Sequence, residues 1–116
     1  MLQIVESVLF FVSDLERSTA FYRTVLGEEP EVRLEDRLVS FALGGQANFT
    51  LLKSDDTVAP RSAALLCDNL DPILAEWQEY AGLIDLVCLD RKWPTRFVVI
   101  RDPDHNCLII LEAGSD

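Results

Sequence analysis

His105 is the only histidine in the chain, and it lies in the stretch Asp102-Pro103-Asp104-His105-Asn106, just after two carboxylates. A histidine among carboxylates is the usual raw material of general acid–base or metal chemistry. Acid–base work also needs a nucleophile or orienting carboxylate at a fixed distance, and no such spacing surrounds His105. Proline at the second position of a turn, followed by a residue that tolerates positive φ, suits a chain reversal instead. The expectation is a turn residue. Cys67, Cys88 and Cys107 are odd in number, widely spaced and set among apolar neighbours, with no CxxC pair. They read as small buried hydrophobes in a reducing compartment. Arg37 and Arg96 each stand near a strand start. Either has the forked geometry to hold an anionic group, against the commoner role of a solvated charge. Trp93, in "DRKWPTR", is a stacking aromatic beside a cleft, a hydrophobic lid or a dimer contact.

These residues belong to 116 in all, 49% hydrophobic and 26% charged, with five glycines and five prolines. That length and composition specify one globular domain with a real core. The formal net charge of −10 disfavours nucleic acid and anionic lipid. It also draws cationic small molecules toward the surface, although solubility is its ordinary meaning. The N-terminal "MLQIVESVLFFVSD" lacks a basic lead and is interrupted by Glu6, so neither secretion nor membrane insertion is expected, and the expected location is cytoplasmic. Asn48-Phe49-Thr50 matches a glycosylation sequon and reads as an accident of a strand.

The pattern of apolar residues supplies the elements. Residues 4–12, "IVESVLFFV", are β-branched and aromatic, as in a strand. In "SDLERSTAFYRTVLG", Ser13 and Glu16 stand in capping-box relation, Leu15, Tyr22 and Leu26 share a helical face, and Gly27 can end the helix. Three strands follow, with the Gly44-Gly45 turn between the last two. After "SDDTVAPR" come the strand "SAALLC", a helix in "DNLDPILAEWQEYAG" capped by Asp68 or Asp71 with Pro72 in its first turn, and three more strands. A displacement of 55 residues superposes Ser7 on Ser62, Tyr22 on Trp77 and Gly27 on Gly82. A displacement of 59 superposes Arg37 on Arg96, Val39 on Val98 and Leu51-Leu52 on Ile110-Leu111. The expected fold is α+β: one domain, residues 1–116, of two βαβββ modules at about 1–53 and 61–116. They would form a curved mixed sheet with the helices on its convex face, a pocket on its concave face, and Tyr22 and Trp77 in the core.

"VLFFVSDLERSTAFYRTVLG" and "RDPDHNCLIILE" resemble the vicinal oxygen chelate superfamily of glyoxalases, ring-cleaving dioxygenases and bleomycin-resistance proteins, over nearly the whole chain. In metal-dependent members a ligand stands early in the first strand and another in the last strand of each module. Carried over residue by residue, those positions are Ser7, Ser62, Thr50 and Ile109. Hydroxyls and an isoleucine are not competent donors for zinc or iron, so the resemblance implies no metal and no cofactor. Strand parity set by these positions puts Ser7, Leu9 and Phe11, Asn48, Thr50 and Leu52, Ser62, Ala64 and Leu66, and Cys107, Ile109 and Leu111 on the concave wall. The expected ligand-binding residues are Ser7, Leu9, Phe11, Asn48, Thr50, Ser62, Trp93 and Ile109. The expected function is metal-independent binding of an apolar or cationic small molecule, as in the bleomycin-resistance branch, by a homodimer whose modules pair within a chain or swap between chains. The alternatives are a lyase, isomerase or dioxygenase with a metal on unexpected carboxylates such as Glu6, Glu35 or Glu112, and an interaction module whose cleft takes a partner's strand or helix.

Overall fold

A computed structural model describes residues 2–4, 7–43, 48–77, 84–88 and 96–112. β-Branched and aromatic runs become the strands β1 (Leu2–Ile4), β2 (Val8–Val12), β3 (Val32–Leu34), β4 (Leu38–Ala42), β5 (Asn48–Lys53), β6 (Ser62–Cys67), β7 (Ile84–Cys88), β8 (Phe97–Arg101) and β9 (Cys107–Glu112). The helices are α1 (Leu15–Leu26) and α2 (Leu70–Trp77). The α+β class and the twofold βαβββ order are as the sequence implies. Hydrogen bonding distributes the strands over two sheets, ordered β1-β6-β9-β8-β7 and β2-β5-β4-β3.

The first expected strand, 4–12, is in fact two. β1 pairs antiparallel with β6, placing Gln3 opposite Leu66, whereas β2 pairs parallel with β5, placing Leu9 opposite Thr50. The chain thus leaves one sheet for the other, and each segment covers an edge that would otherwise expose unpaired backbone. Beyond β1, β2 and β6 separate, and their separation creates the cleft described below.

The repeat appears in the pairing itself. Leu9 faces Thr50 as Ala64 faces Ile109, and Val39 faces Leu51 as Val98 faces Ile110. Each of these correspondences follows the sequence displacements of 55 and 59. Alternation then separates the faces. Phe10, Val12, Phe49, Leu51, Leu65, Cys67, Leu108 and Ile110 are buried with Tyr22 and Trp77, as expected of those two. Phe49 is central to an aromatic cluster, with ring centroids 4.9 Å from Tyr22, 5.5 Å from Phe10 and 6.4 Å from Phe41.

Both helix starts differ from the sequence reading. Asp14, not Ser13, caps α1, extended at φ −131° and ψ 102° and accepting the Arg17 N–H at 3.2 Å, while the Ser13 N–H is held by Asp104 Oδ1 at 3.1 Å. Gly27 ends α1 as expected, at φ 68° with its N–H on the Arg23 carbonyl. At α2 neither Asp68 nor Asp71 is the cap. Asn69 Oδ1 accepts the Asp71 N–H at 3.0 Å, and the Glu112 carboxylate accepts the Leu70 N–H at 3.0 Å. Pro72 lies in the first turn, as expected.

The turn between β8 and β9 ties the two halves together. Asp102, 4% exposed, accepts the Asp104 and Asn106 N–H groups on Oδ1 (2.9 and 2.8 Å), and the Tyr22 hydroxyl and Asn106 Nδ2 on Oδ2 (2.7 and 3.0 Å). Asn106 Nδ2 also donates to the Phe11 carbonyl at 3.2 Å, and its Oδ1 accepts the Arg61 N–H at 2.9 Å. His105 is exposed at φ 68°, with its backbone N–H on the Asp102 carbonyl. It is the left-handed turn residue that the sequence implies.

Candidate functional site

Where β2 and β6 diverge, a cleft of about 420 Å³ opens, lined by residues 7–10 from β2 and its approach and by Arg61, Ser62, Ala63, Ala64 and Leu66 from β6 and its approach, with Leu111 of β9. Its polar groups are the Ser7 and Ser62 hydroxyls and the Arg61 guanidinium, and its apolar surface comes mainly from Leu9, Leu66 and Leu111. An apolar concavity with a few convergent polar groups is the usual form of a site for an organic molecule.

The cleft lining includes residues of both strand parities, Val8, Phe10 and Ala63 among them, and only some of the expected wall residues. Ser7, Leu9 and Ser62 line it. Phe11, Asn48, Thr50 and Ile109 share the accessible face with them without lining it. Phe11 borders a neighbouring cavity with Val58, Pro103 and His105, and Asn48 donates its N–H to Ser7 Oγ at a long 3.4 Å. The Thr50 hydroxyl is hydrogen-bonded to that of Ser40 at 3.1 Å. Trp93 and Glu6 lie outside the described residues.

Sequence reasoning missed Arg61, because it closes a polar connecting stretch and was read with it. Its backbone is fixed on both sides: its N–H donates to Asn106 Oδ1, and its carbonyl accepts the Cys107 N–H at 2.9 Å. The guanidinium lies over the Phe11 ring, 4.9 Å from the centroid, with Nη1 3.5 Å from the Leu9 carbonyl. The one available signal was its position directly before Ser62, at the start of a repeated strand.

Arg37 and Arg96, paired by the repeat, differ in role. Arg37 is exposed in the turn between β3 and β4, where its N–H donates to the Leu34 carbonyl and its carbonyl accepts the Lys53 N–H of β5. Arg96 is a clamp: it donates to Glu112 Oε1 at 3.1 Å, Asp71 Oδ1 at 2.9 Å and Asn69 Oδ1 at 3.3 Å, so its fork is occupied by the chain's own acids. Those bonds and the Leu70 N–H hold the Glu112 carboxyl below the usual carboxylate range. A carboxylate whose folded pKa is depressed stabilises the protein above its unfolded value and loses that contribution as pH falls through the folded one. Glu112→Gln is therefore expected to flatten the acid limb of the stability curve below about pH 4.3, the ordinary glutamate value. Urea titrations from pH 7 to pH 3 check this, and parallel curves for the two proteins would contradict it. Glu35, a second carboxylate considered for a metal, is exposed in a turn at φ 51°. Cys67 is buried, which pushes its thiol up and away from reactivity, and Cys107 is half-buried.

The model of the glyoxalase/bleomycin resistance protein/dioxygenase superfamily matches residues 4–110. The chain belongs to that superfamily. No curated protein matches it significantly in sequence. Among solved structures, it is similar to a glyoxalase/bleomycin resistance protein from Catenulispora acidiphila (19% identity, TM-score 0.82, covering 96% of this chain and 99% of that one). It is also similar to a lactoylglutathione lyase from Agrobacterium tumefaciens (22% identity, TM-score 0.77, 95% and 93% covered). A third neighbour is a fosfomycin resistance protein from Mesorhizobium loti (15% identity, TM-score 0.69, 97% and 94% covered). At these identities the likeness concerns the fold.

Superfamily membership raises the question of a metal. The positions that the resemblance assigns to the ligands of metal-dependent members are Ser7, Thr50, Ser62 and Ile109. The Thr50 hydroxyl is bound to Ser40 and Ser7 Oγ faces the Asn48 N–H, while isoleucine has no donor at all. Zinc and iron need imidazole, thiolate or carboxylate, so this donor set does not fit such an ion. Among the described residues there is no group of three or more His, Cys, Asp or Glu placed to hold a metal. Among the same residues, no helix is long and apolar enough to cross a membrane.

Proposed function

We propose that this member of the superfamily is a metal-independent binding protein whose cleft between β2 and β6 takes the apolar body of a small organic molecule. One observation carries the reading: the positions where metal-dependent relatives hold their ligands bear hydroxyls and an isoleucine, and Ser7 and Ser62 of that set form the rim of an apolar concavity of about 420 Å³. The cleft contains no group arranged as a general base or nucleophile among the described residues, which favours binding over turnover. The bulk acidity of the surface favours a cationic ligand, but the charged side chain in the described lining of the cleft is Arg61, and no carboxylate stands among those described lining residues to meet a cation.

A homodimer belongs to the same reading, supported by the edge strand β3, whose Val32 and Leu34 are 43% and 58% exposed. A cytoplasmic location accords with the free Cys67 and Cys107.

Fluorescence titration with 2-naphthoate and 2-naphthamide, with and without a chelator, tests the binding. Saturable binding of the ring probes is expected in the chelator's presence, and Ala64→Trp, which fills the exposed cleft wall, should weaken both at least tenfold while Tm moves little. Unchanged affinity in Ala64→Trp would remove the cleft from the proposal, and binding that disappears with the chelator, together with stoichiometric metal by elemental analysis, would remove metal independence. Sedimentation of the same preparation at 13.1 kDa would remove the dimer.

A further inference from the structure

We infer that the cleft selects organic anions, and that Arg61 is the residue that recognises the ligand's carboxylate, phosphonate or similar group. This rests on the binding role proposed above and adds the chemical class of the ligand.

A guanidinium offers planar, forked N–H donors that match a carboxylate or phosph(on)ate edge, and it remains charged at every pH at which a protein is folded. Elsewhere in this chain such a fork is taken up by acidic neighbours, as at Arg96. Arg61 is different. Among the described residues it has no carboxylate partner. Its polar side-chain contact is a long one, 3.5 Å from Nη1 to the Leu9 carbonyl, and its other contact is the Phe11 ring. A neutral carbonyl and a ring face orient a guanidinium without neutralising it. The backbone on either side of its Cα is hydrogen-bonded to the turn before β9, so the side chain projects from a fixed base. The charge is thus oriented, without a carboxylate partner among the described residues, and in the lining of an apolar cleft.

The neighbouring groups support the same class. Ser7 and Ser62 share the cleft lining with Arg61, and hydroxyls donate to anionic oxygens readily. The apolar surface of Leu9, Leu66 and Leu111 leaves the rest of the ligand to be hydrocarbon or aromatic. Asp and Glu are absent from the described lining of this cleft. The net charge of −10 makes the inference sharp, because the surrounding field favours cations, and preference for an anion must then come from a local group.

The test uses the full-length protein and three probes with one ring system: 2-naphthoate, 2-naphthamide and 2-naphthylmethylammonium. The acid is expected to bind at least tenfold more tightly than the amide, and the ammonium most weakly. Arg61→Gln should reduce the acid to the affinity of the amide while leaving the amide unchanged, and Arg61→Lys, which keeps the charge and loses the fork, should fall between. Equal binding of acid and amide by the native protein, or a preference for the acid that survives Arg61→Gln, would overturn the anion assignment and leave the cleft reading intact. No binding of any probe would overturn both. Loss of amide binding in Arg61→Gln with an unchanged Tm would assign Arg61 to shaping the cleft, and would equally reject its role as the anion receptor.

Discussion

Asp102→Ala is expected to lower Tm by roughly 12–16 °C, corresponding to about 3–4 kcal/mol at the ~4 °C per kcal/mol typical of a domain of this size. The carboxylate accepts four hydrogen bonds in a site where it is only 4% exposed. Alanine leaves the Tyr22 hydroxyl and the Asn106 amide and backbone donors without that acceptor, and buried donors stripped of a partner bear their full desolvation cost. Burial first, and the adjacent Asp102 charge second, raise the Tyr22 hydroxyl above the ordinary tyrosine range, so it stays a donor throughout the folded range. Tyr22→Phe removes one bond and keeps the ring, and should cost about 1–2 kcal/mol. A double-mutant cycle by urea denaturation measures the coupling. A loss under 3 °C for Asp102→Ala would mean that the turn is not the tie described here.

Phe49→Ala should be comparably severe, at about 3–5 kcal/mol, through a different mechanism. Its ring is fully buried and in contact with those of Tyr22, Phe10 and Phe41, which cannot all collapse into the space that a methyl group leaves. Phe49→Leu retains most of the volume and is expected to cost under about 1.5 kcal/mol. Since Phe49 is fully buried and is not among the residues lining the cleft, naphthoate affinity of the folded fraction should be unchanged in both variants. Calorimetry alongside titration separates the two readouts. A weakened ligand affinity at full folding would show that the core and the cleft are coupled.

The contrast between the faces of β5 was legible before any coordinates, because a period of two fixes all of a strand's faces once one residue is placed. So was the repeat: Val39 on Val98 is a statement about sequence, and the sheets repeat it, Val39 facing Leu51 as Val98 faces Ile110. Other features depended on partners far along the chain. Residues 4–12 look like one strand because nothing local says that Ile4 will pair with Leu65 while Val8 pairs with Phe49. Ser13 and Asp14 are both good caps, and the choice was made by Asp104, 91 residues away in the chain from Ser13. Arg61 was hidden for a related reason: composition marks its segment as a linker, and only the fold brings Leu9 and Phe11 to its guanidinium. Asp102 reads as an ordinary turn acid until Tyr22 is brought beside it.

The two halves exchange parts in both directions. β1 belongs by chain to the first half and by hydrogen bonds to the sheet of the second, while Asp102 belongs by chain to the second half and serves a helix of the first. Fraying on either side therefore deprives the other of bonds it cannot replace, and duplicated ancestry does not leave two independent folding units. Melting should proceed as one all-or-none event.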